Sequence, residues 1–316
     1  MTEVQTLDYY VLKALDFFEE MGDYKLLLPK SNHTLVAGSQ SGYLTGRIVY
    51  RFAGRAFSHA PEVLAQHEID SKSEILDDVT IVSATGSRNV IPIAEYALNK
   101  GLKVNVVTCT ENSPVKTNFP AINDIIVPTL EEPEPPTVNT ATYGGMIQGV
   151  THENIPRISR EVEALNDKLP KGGYENYGAF TVVLPDRMPE VAGMVDWKLR
   201  GEKIGRCIGS TAITLTDFMS AAITDAKEKY ELYIALGLSG EEREVFDQVL
   251  EHIPMDRKHY ININKPDDFG PLGYLTLGYF VVGQIQKNYP GFQNNILDYK
   301  RETTGWEWIN PIKEKS

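Results

Sequence analysis

Short β-prone runs alternate with runs of helical periodicity through both halves of this 316-residue chain. The β-prone runs are apolar and short, as expected of strands that are buried on both faces of a parallel sheet. In such an alternation, each helix carries the chain back across one face of the sheet. The pattern therefore predicts an α/β protein whose parallel sheets are flanked by helices on both faces.

The two halves repeat this pattern, which predicts two similar α/β units in tandem. The predicted strands span residues 33–37, 55–58, 79–83, 104–108, 125–127, 179–184, 231–236 and 260–263. The predicted helices include residues 7–21, 44–52, 90–98, 141–165, 191–199, 245–253 and 272–286. The predicted division is an N-terminal helix over 1–30, a first unit over 31–138, a linking helix over 139–170 and a second unit over 171–316.

The sequence LEEPEPPT at residues 130–137 interrupts the alternation. Its three prolines lack an N–H group to donate, and its three glutamates are costly to bury. We therefore expect an exposed linker between the two units.

Charge and cysteine usage exclude several classes of protein. The net charge of −12 argues against a nucleic-acid partner and against an anionic membrane surface, although a small anionic ligand needs only a local positive field. Cys109 and Cys207 are far apart and no Cys/His/Asp group has metal-ligand spacing, so we expect reduced cysteines and no metal. The N-terminus lacks the pattern of a signal peptide. We expect a cytoplasmic protein.

Two turns between a predicted strand and a predicted helix are rich in serine, threonine and glycine. They are GSQSG at residues 38–42 and SATGSR at residues 83–88. Hydroxyl groups and the free N–H groups of a helix N-terminus bind anions, and glycine lets the backbone approach a ligand closely. Parallel sheets bind ligands at the carboxyl ends of their strands, where both turns would lie. Together they predict a site for a phosphate monoester.

A structural role for each turn is the alternative, because serine, threonine and glycine are ordinary helix caps. Neither turn has the G-x-G-x-x-G order of a dinucleotide site or the Gly-Lys-Ser/Thr of a P-loop. The prediction depends on both turns occurring in one unit. The predicted phosphate-binding residues are Ser39, Gln40, Ser41, Ser83, Thr85, Gly86, Ser87 and Arg88.

The stretches VAGSQSGYLTGRIVYRF at 36–52 and TIVSATGSRNVIPIAEYALNKGLKVNVVTCTENSP at 80–114 resemble the SIS (sugar isomerase) phosphosugar-binding domains. In the second stretch, Ser83, Thr85 and Gly86 match the two serines and the glycine of the family's S-x-S-G-x-T turn, and Arg88 stands in place of its threonine. The resemblance covers residues 34–121 and is only architectural beyond them. It implies tandem SIS-type units, a sugar phosphate ligand and no cofactor.

The resemblance implies an aldose–ketose isomerase that acts through an enediol. An amino-sugar-phosphate isomerase or deglycase and a non-catalytic phosphosugar sensor are the alternatives. The first 30 residues are too few for a DNA-reading module, which favours an enzyme over a regulator.

Isomerisation needs a general base, for which the sequence offers several candidates. HAPEVLAQHE at 59–68 resembles the H-P-x-E-A-x-H-G-D run of arabinose-phosphate isomerases, with His59 and Glu62 on its first histidine and glutamate. His67 matches its second histidine after an insertion. The candidate acid and base residues are His67, Glu68, His152, Glu153 and Lys300. The alternative for each is a solvated surface residue without a catalytic role.

His152 and Glu153 are predicted to lie within the linking helix, at the junction of the two units. Lys300 resembles the tail lysine of glucosamine-6-phosphate synthase isomerase domains. The second unit has LPDRMPE at 184–190 where the first has the serine-rich turn, and its SGEE run would repel phosphate. We therefore expect one phosphate site per chain, in the first unit, with the second unit closing over the sugar or serving the dimer, and we expect a homodimer.

Overall fold

The computed structural model describes residues 5–86, 88–132, 134, 138–200, 210–225, 231–254, 258–264 and 269–288. The strands of this part of the chain are β1 (Thr34–Gly38), β2 (Phe57–Pro61), β3 (Asp78–Val82), β4 (Lys103–Thr108), β5 (Asn123–Ile126), β6 (Ala179–Leu184), β7 (Thr211–Thr214), β8 (Glu231–Leu236) and β9 (Lys258–Ile263). Its α-helices are α1 (Leu7–Met21), α2 (Gln40–Phe52), α3 (Ala65–Lys72), α4 (Ile91–Asn99), α5 (Pro114–Asn118), α6 (Thr140–Thr151), α7 (Ile155–Lys168), α8 (Pro189–Arg200), α9 (Leu215–Asp225), α10 (Gly240–Glu251) and α11 (Pro271–Asn288). Within the described ranges, no helix is both long and apolar enough to cross a membrane.

The strands form two parallel sheets. The first has the order β2-β1-β3-β4-β5 and the second the order β7-β6-β8-β9. In each sheet the strand that comes second in the chain, β2 or β7, is at one edge beside the first, β1 or β6. The next two strands in the chain follow on the opposite side of that first strand. The predicted α/β class with parallel sheets flanked by helices is confirmed.

A layer of helices lies between the two sheets. Helix α2 packs on α8, and α1 packs on α6 and α11. Side chains from both sheets meet these helices in the largest hydrophobic core, which includes Val36, Phe18, Val195 and Phe280. The outer faces have smaller cores of their own, one under α3 and α4 and one under α9 and α10. Every strand residue of β1, β3 and β6 is accordingly buried.

The single linking helix predicted over residues 141–165 is wrong, because the chain breaks it into α6 and α7. His152 ends α6 in the left-handed conformation, with φ of +50°. Asn154 then caps α7 by accepting a hydrogen bond from the Arg157 N–H at 3.0 Å, and Pro156 occupies the first turn. Apolar periodicity runs across the break because both helices pack on the same core.

Residues 130–137 are not a wholly exposed linker, because Glu134 is partly buried and binds the start of α6. Its Oε1 accepts a hydrogen bond from the Thr140 N–H at 3.0 Å, and its Oε2 accepts one from the Ala141 N–H at 2.9 Å. These N–H groups have no partner within the helix, and the helix dipole favours a carboxylate there. Burial nevertheless raises the pKa of Glu134 to about 7.

We expect the Glu134→Gln variant to lose part of the pH dependence of wild-type stability. Since the pKa of Glu134 is higher in the folded than in the unfolded chain, its contribution is fully present below pH ~4.5 and is lost as the pH rises to about 7. Urea unfolding at pH 5 and pH 8 measures this loss, which should be smaller in the variant by up to about 3 kcal/mol. Equal losses in the two proteins would contradict the assignment.

Candidate functional site

A cleft of about 250 Å³ opens at the carboxyl ends of β1 and β2, beside the start of α4. Its lining residues are Ser39, Gln40, Pro61, Glu62, Val63 and Asn89. They come from the connections that follow β1, β2 and β3. Because β1 lies between β2 and β3, the parallel topology brings these three connections to one edge of the sheet.

The first serine-rich turn leaves polar groups available at the cleft. Ser39 precedes α2 but its side chain makes no capping hydrogen bond. Gln40 has a φ of +47°, a left-handed conformation that costs energy for a residue other than glycine and is common at ligand sites. The Ser39 and Ser41 hydroxyls have no hydrogen-bond partner within the described part of the chain. This turn can therefore donate to a ligand at the N-terminus of α2.

The second serine-rich turn follows β3 in the same way. Ser83 is buried and its N–H donates to the Val107 carbonyl at 3.0 Å. Gly86 has a φ of +53° and lies against Ser113, so that a side chain there would be both strained and in collision. Thr85 is exposed. Ser87 and the side chain of Arg88 lie outside the described residues.

Glycines bring the two turns together. A Cβ atom on Gly38 would lie 2.7 Å from the Val82 carbonyl oxygen, and one on Gly42 would lie 2.3 Å from the same atom. Both distances are shorter than any real Cβ contact, so the start of α2 can approach the end of β3 only without side chains at these positions. The two turns consequently lie side by side.

We expect Gly42→Ala to destabilise the protein by about 1–3 kcal/mol, because the new methyl group must push α2 away from β3. Gly240→Ala is the matched control. That glycine begins α10 with open space around its Cβ position, so the change should cost nothing or stabilise slightly. Urea unfolding of both variants measures the difference, and equal stability would show that the turns tolerate separation.

Glu62 is the acidic residue of the cleft. It follows β2 directly, in a short 3₁₀ turn, and burial raises the pKa of its carboxyl group. Asn89, in the connection before α4, lines the same cleft. Neither was chosen as a site residue from the sequence, although Glu62 falls on the glutamate of the H-P-x-E run and so carried a signal that could have found it.

His67 and Glu68, the predicted candidates in this region, lie on α3 and do not line the cleft. His67 is exposed. The Glu68 carboxylate forms an ion pair with Lys72 at 2.7 Å, and hydrogen bonding to Lys72 lowers the pKa of Glu68. A lowered pKa makes Glu68 a weaker base than an ordinary glutamate.

Glu153 does not lie within a helix as predicted but follows the end of α6 and binds the start of α11. Its carboxylate accepts hydrogen bonds from the N–H groups of Gly270 and Leu272 at 2.8 Å and of Gly273 at 3.0 Å. Burial raises the pKa of Glu153 despite these bonds. His152 is beside it, with Nδ1 3.4 Å from an Asp23 carboxylate oxygen. Lys300 lies outside the described residues.

The turn after β6, which corresponds to the first serine-rich turn, is filled by its own side chains. Asp186 accepts hydrogen bonds from the Thr216 N–H and hydroxyl groups, both at 2.8 Å. Arg187 donates to the Tyr274 hydroxyl at 2.6 Å and pairs with Glu242 at 3.3 Å. These contacts support the expectation of a single phosphate site in the first half of the chain.

The fold is that of solved sugar-phosphate enzymes. The glucosamine-6-phosphate deaminase of Thermotoga maritima is 11% identical and superposes with a TM-score of 0.65 over 90% of this chain and 93% of its own. The tagatose-6-phosphate ketose/aldose isomerase of Escherichia coli is 13% identical, with a TM-score of 0.61 and 89% coverage of both chains. No protein-family model matches the sequence, and no curated protein is detectably similar to it. The likeness confirms the predicted resemblance at the level of the fold.

Proposed function

We propose that this chain binds a sugar phosphate in the cleft beside β1, β2 and α4 and interconverts its aldose and ketose forms. The observation that carries the proposal is the meeting in one cleft of hydroxyl and amide groups from strand-to-helix connections with the carboxyl group of Glu62. A ketose/aldose isomerase is among the solved structures with this fold, which supports the reaction class.

In this proposal, the two serine-rich turns hold the phosphate group. The Ser39 hydroxyl, which lines the cleft, donates to its oxygens, and the hydroxyl groups of Ser41, Ser83 and Thr85, which do not line the cleft, are the further predicted donors. The starts of α2 and α4 add free N–H groups and the positive ends of two helix dipoles. Gln40, Gly86, Ser87 and Arg88 complete the predicted set.

Glu62 is proposed as the general base. It removes a proton from the carbon next to the carbonyl group, which gives an enediol, and returns the proton to the neighbouring carbon. A second proton moves in the same direction, from the neighbouring hydroxyl oxygen to the original carbonyl oxygen, so substrate and product are isomers and no cofactor is consumed. Burial raises the pKa of Glu62 towards the working pH, which suits a group that must both accept and donate a proton.

The other candidates remain second choices for this role. Glu68 is engaged by Lys72, and Glu153 by the backbone of α11. His67, His152 and Lys300 are retained as candidates for the acid that opens the sugar ring.

We also propose that the chain consists of two tandem SIS-type units, over residues 31–138 and 171–316. The shared strand order of the two sheets supports this division. The first unit would bind the phosphate, and the second would close over the sugar.

Hydrogen exchange at C1 of fructose 6-phosphate tests the proposal. In deuterated water without added amine, the protein should incorporate deuterium at C1, which NMR detects. A panel of sugar phosphates with five to seven carbons, screened first by thermal shift, identifies the best ligand. Absence of binding by every sugar phosphate of the panel would refute the proposed function.

An amino-sugar-phosphate reaction is the second candidate, favoured by the deaminase with the same fold. Turnover that depends on added ammonium would support it over simple isomerisation. Thermal stabilisation by a sugar phosphate without any turnover would instead identify a sensor.

A further inference from the structure

We propose that Tyr143 is a positioning residue of the phosphate site and holds both serine-rich turns from helix α6. The ligand part of this inference rests on the proposed function, whereas the positioning part rests on contacts of the Tyr143 hydroxyl group alone. Tyr143 lies about 100 residues after the first turn and about 60 after the second, so neither turn could supply this group itself.

The Tyr143 hydroxyl group lies between the two turns. It accepts a long hydrogen bond, at 3.4 Å, from the N–H of Ala84, which is in the second turn. A Cβ atom on Gly42, at the end of the first turn, would lie 3.4 Å from the same oxygen. One polar group from a third element therefore bonds to the backbone of the second turn and lies next to Gly42 of the first, where there is no room for a side chain.

The carbonyl group of Ala84 is held independently from the other side. It accepts hydrogen bonds from the Thr108 hydroxyl at 2.8 Å, the Cys109 N–H at 3.1 Å, the Cys109 thiol at 3.0 Å and the Thr110 hydroxyl at 3.4 Å. Buried backbone groups of this kind need partners. Because the end of β4 fixes the carbonyl group, the Tyr143 hydroxyl is what fixes the N–H group and so the orientation of the second turn.

Helix α6 is itself anchored near Tyr143, which makes it a suitable support. Glu134 binds the N–H groups of its first turn. The Thr142 hydroxyl donates to the Cys109 thiol at 3.3 Å, which ties α6 to the end of β4. On the far side, Gly144 packs against Phe18. Ligand-binding groups need such supporting residues to stay in the productive geometry.

The test compares Tyr143→Phe with Tyr174→Phe, each of which removes one hydroxyl group. The Tyr174 hydroxyl is buried and has no hydrogen-bond partner among the described residues. Tyr174 lies in a short 3₁₀ turn before β6, in the second half of the chain. In the ligand-free Tyr143→Phe protein, amides of residues 83–86 should exchange about five- to tenfold faster. The Kd of the best sugar phosphate of the panel should rise by a similar factor, with kcat changed less than about twofold. Tyr174→Phe should alter neither quantity.

Amide exchange tests the positioning role of Tyr143, and binding of a sugar phosphate tests the proposed function. Unchanged exchange at residues 83–86 in Tyr143→Phe overturns the positioning role, whether or not a sugar phosphate binds. Faster exchange together with an unchanged Kd also overturns it, because the held geometry would then not serve the ligand. Failure of the wild-type protein to bind any sugar phosphate, with faster exchange still observed in the variant, refutes the proposed function and leaves Tyr143 as a support of the turn.

Discussion

Glu62→Gln is expected to lower the rate of deuterium incorporation at C1 of fructose 6-phosphate by about 100-fold or more. Glutamine keeps the size and the carbonyl oxygen of the side chain but cannot accept the proton, and general acid–base groups typically contribute 10²–10⁴-fold to a rate. Because Glu62 is proposed to accept the proton in the transition state and not to bind the substrate, kcat should fall and KM should change little. NMR exchange kinetics on the purified variant measure both.

Glu95→Gln is the matched control for this variant. Glu95 is an exposed residue of α4, the helix that begins at the cleft, and should tolerate the change without loss of rate. In the wild-type protein, the rate should also rise with pH through the pKa of Glu62, which lies above the ordinary value of 4.5. Full activity in Glu62→Gln would refute Glu62 as the base, and loss of activity in Glu68→Gln would then place the base on α3.

The fold was predictable because its elements follow local patterns. Strands β6 and β8 have the predicted bounds, and α1 begins and ends where the apolar spacing does. These segments are buried on the faces that their sequence periodicity indicates. The pattern does not predict strand β7 or helix α9, because β7 has only four residues and, among the side chains described in α9, only Leu215 and Phe218 are buried.

The roles of the buried glutamates were not predictable from local patterns. Glu153 binds N–H groups 117 to 120 residues away in the chain, and Glu134 binds a helix start that follows a proline-rich run. Sequence periodicity reports which face of an element is apolar, but it does not report which distant helix start a carboxylate will meet. Glu153, predicted as a candidate base at the junction, is therefore a cap of helix α11.

The candidate site was predictable in part. The serine-rich turns were predicted, because glycine and hydroxyl residues after a strand follow a local rule, and the structure brings them side by side. The predicted glutamate of this region, Glu68, lies on the next helix, α3, and the glutamate that lines the cleft is Glu62. Glu62 ends up there because β2 stops at Pro61 and the chain turns at once, whereas Glu68 has already moved onto α3.

Two ion pairs with a shared, buried glutamate join helix α2 of the first half of the chain to helix α8 of the second. Glu190, in the first turn of α8, is only 3% exposed. Its carboxylate oxygens lie 2.9 Å from an Arg47 nitrogen and 3.0 Å from an Arg51 nitrogen, both on α2. Both arginines are about a third exposed, so they can return to water more readily than the glutamate can. The network is consequently asymmetric: removing the arginines leaves a charge buried, and removing the glutamate does not.

We expect the double variant Arg47→Met/Arg51→Met to lose about 3–5 kcal/mol of unfolding free energy, because the Glu190 carboxylate is then buried without a counter-charge. Adding Glu190→Gln should recover at least half of that loss, since it removes the buried charge. Arg243→Met, which breaks the more exposed pair with Asp247 at 3.1 Å, should cost less than about 1 kcal/mol. Urea unfolding of the four proteins at one pH measures all three differences. A double variant within about 1 kcal/mol of the wild type, or a triple variant less stable than the double, would show that shape and not charge holds α2 to α8.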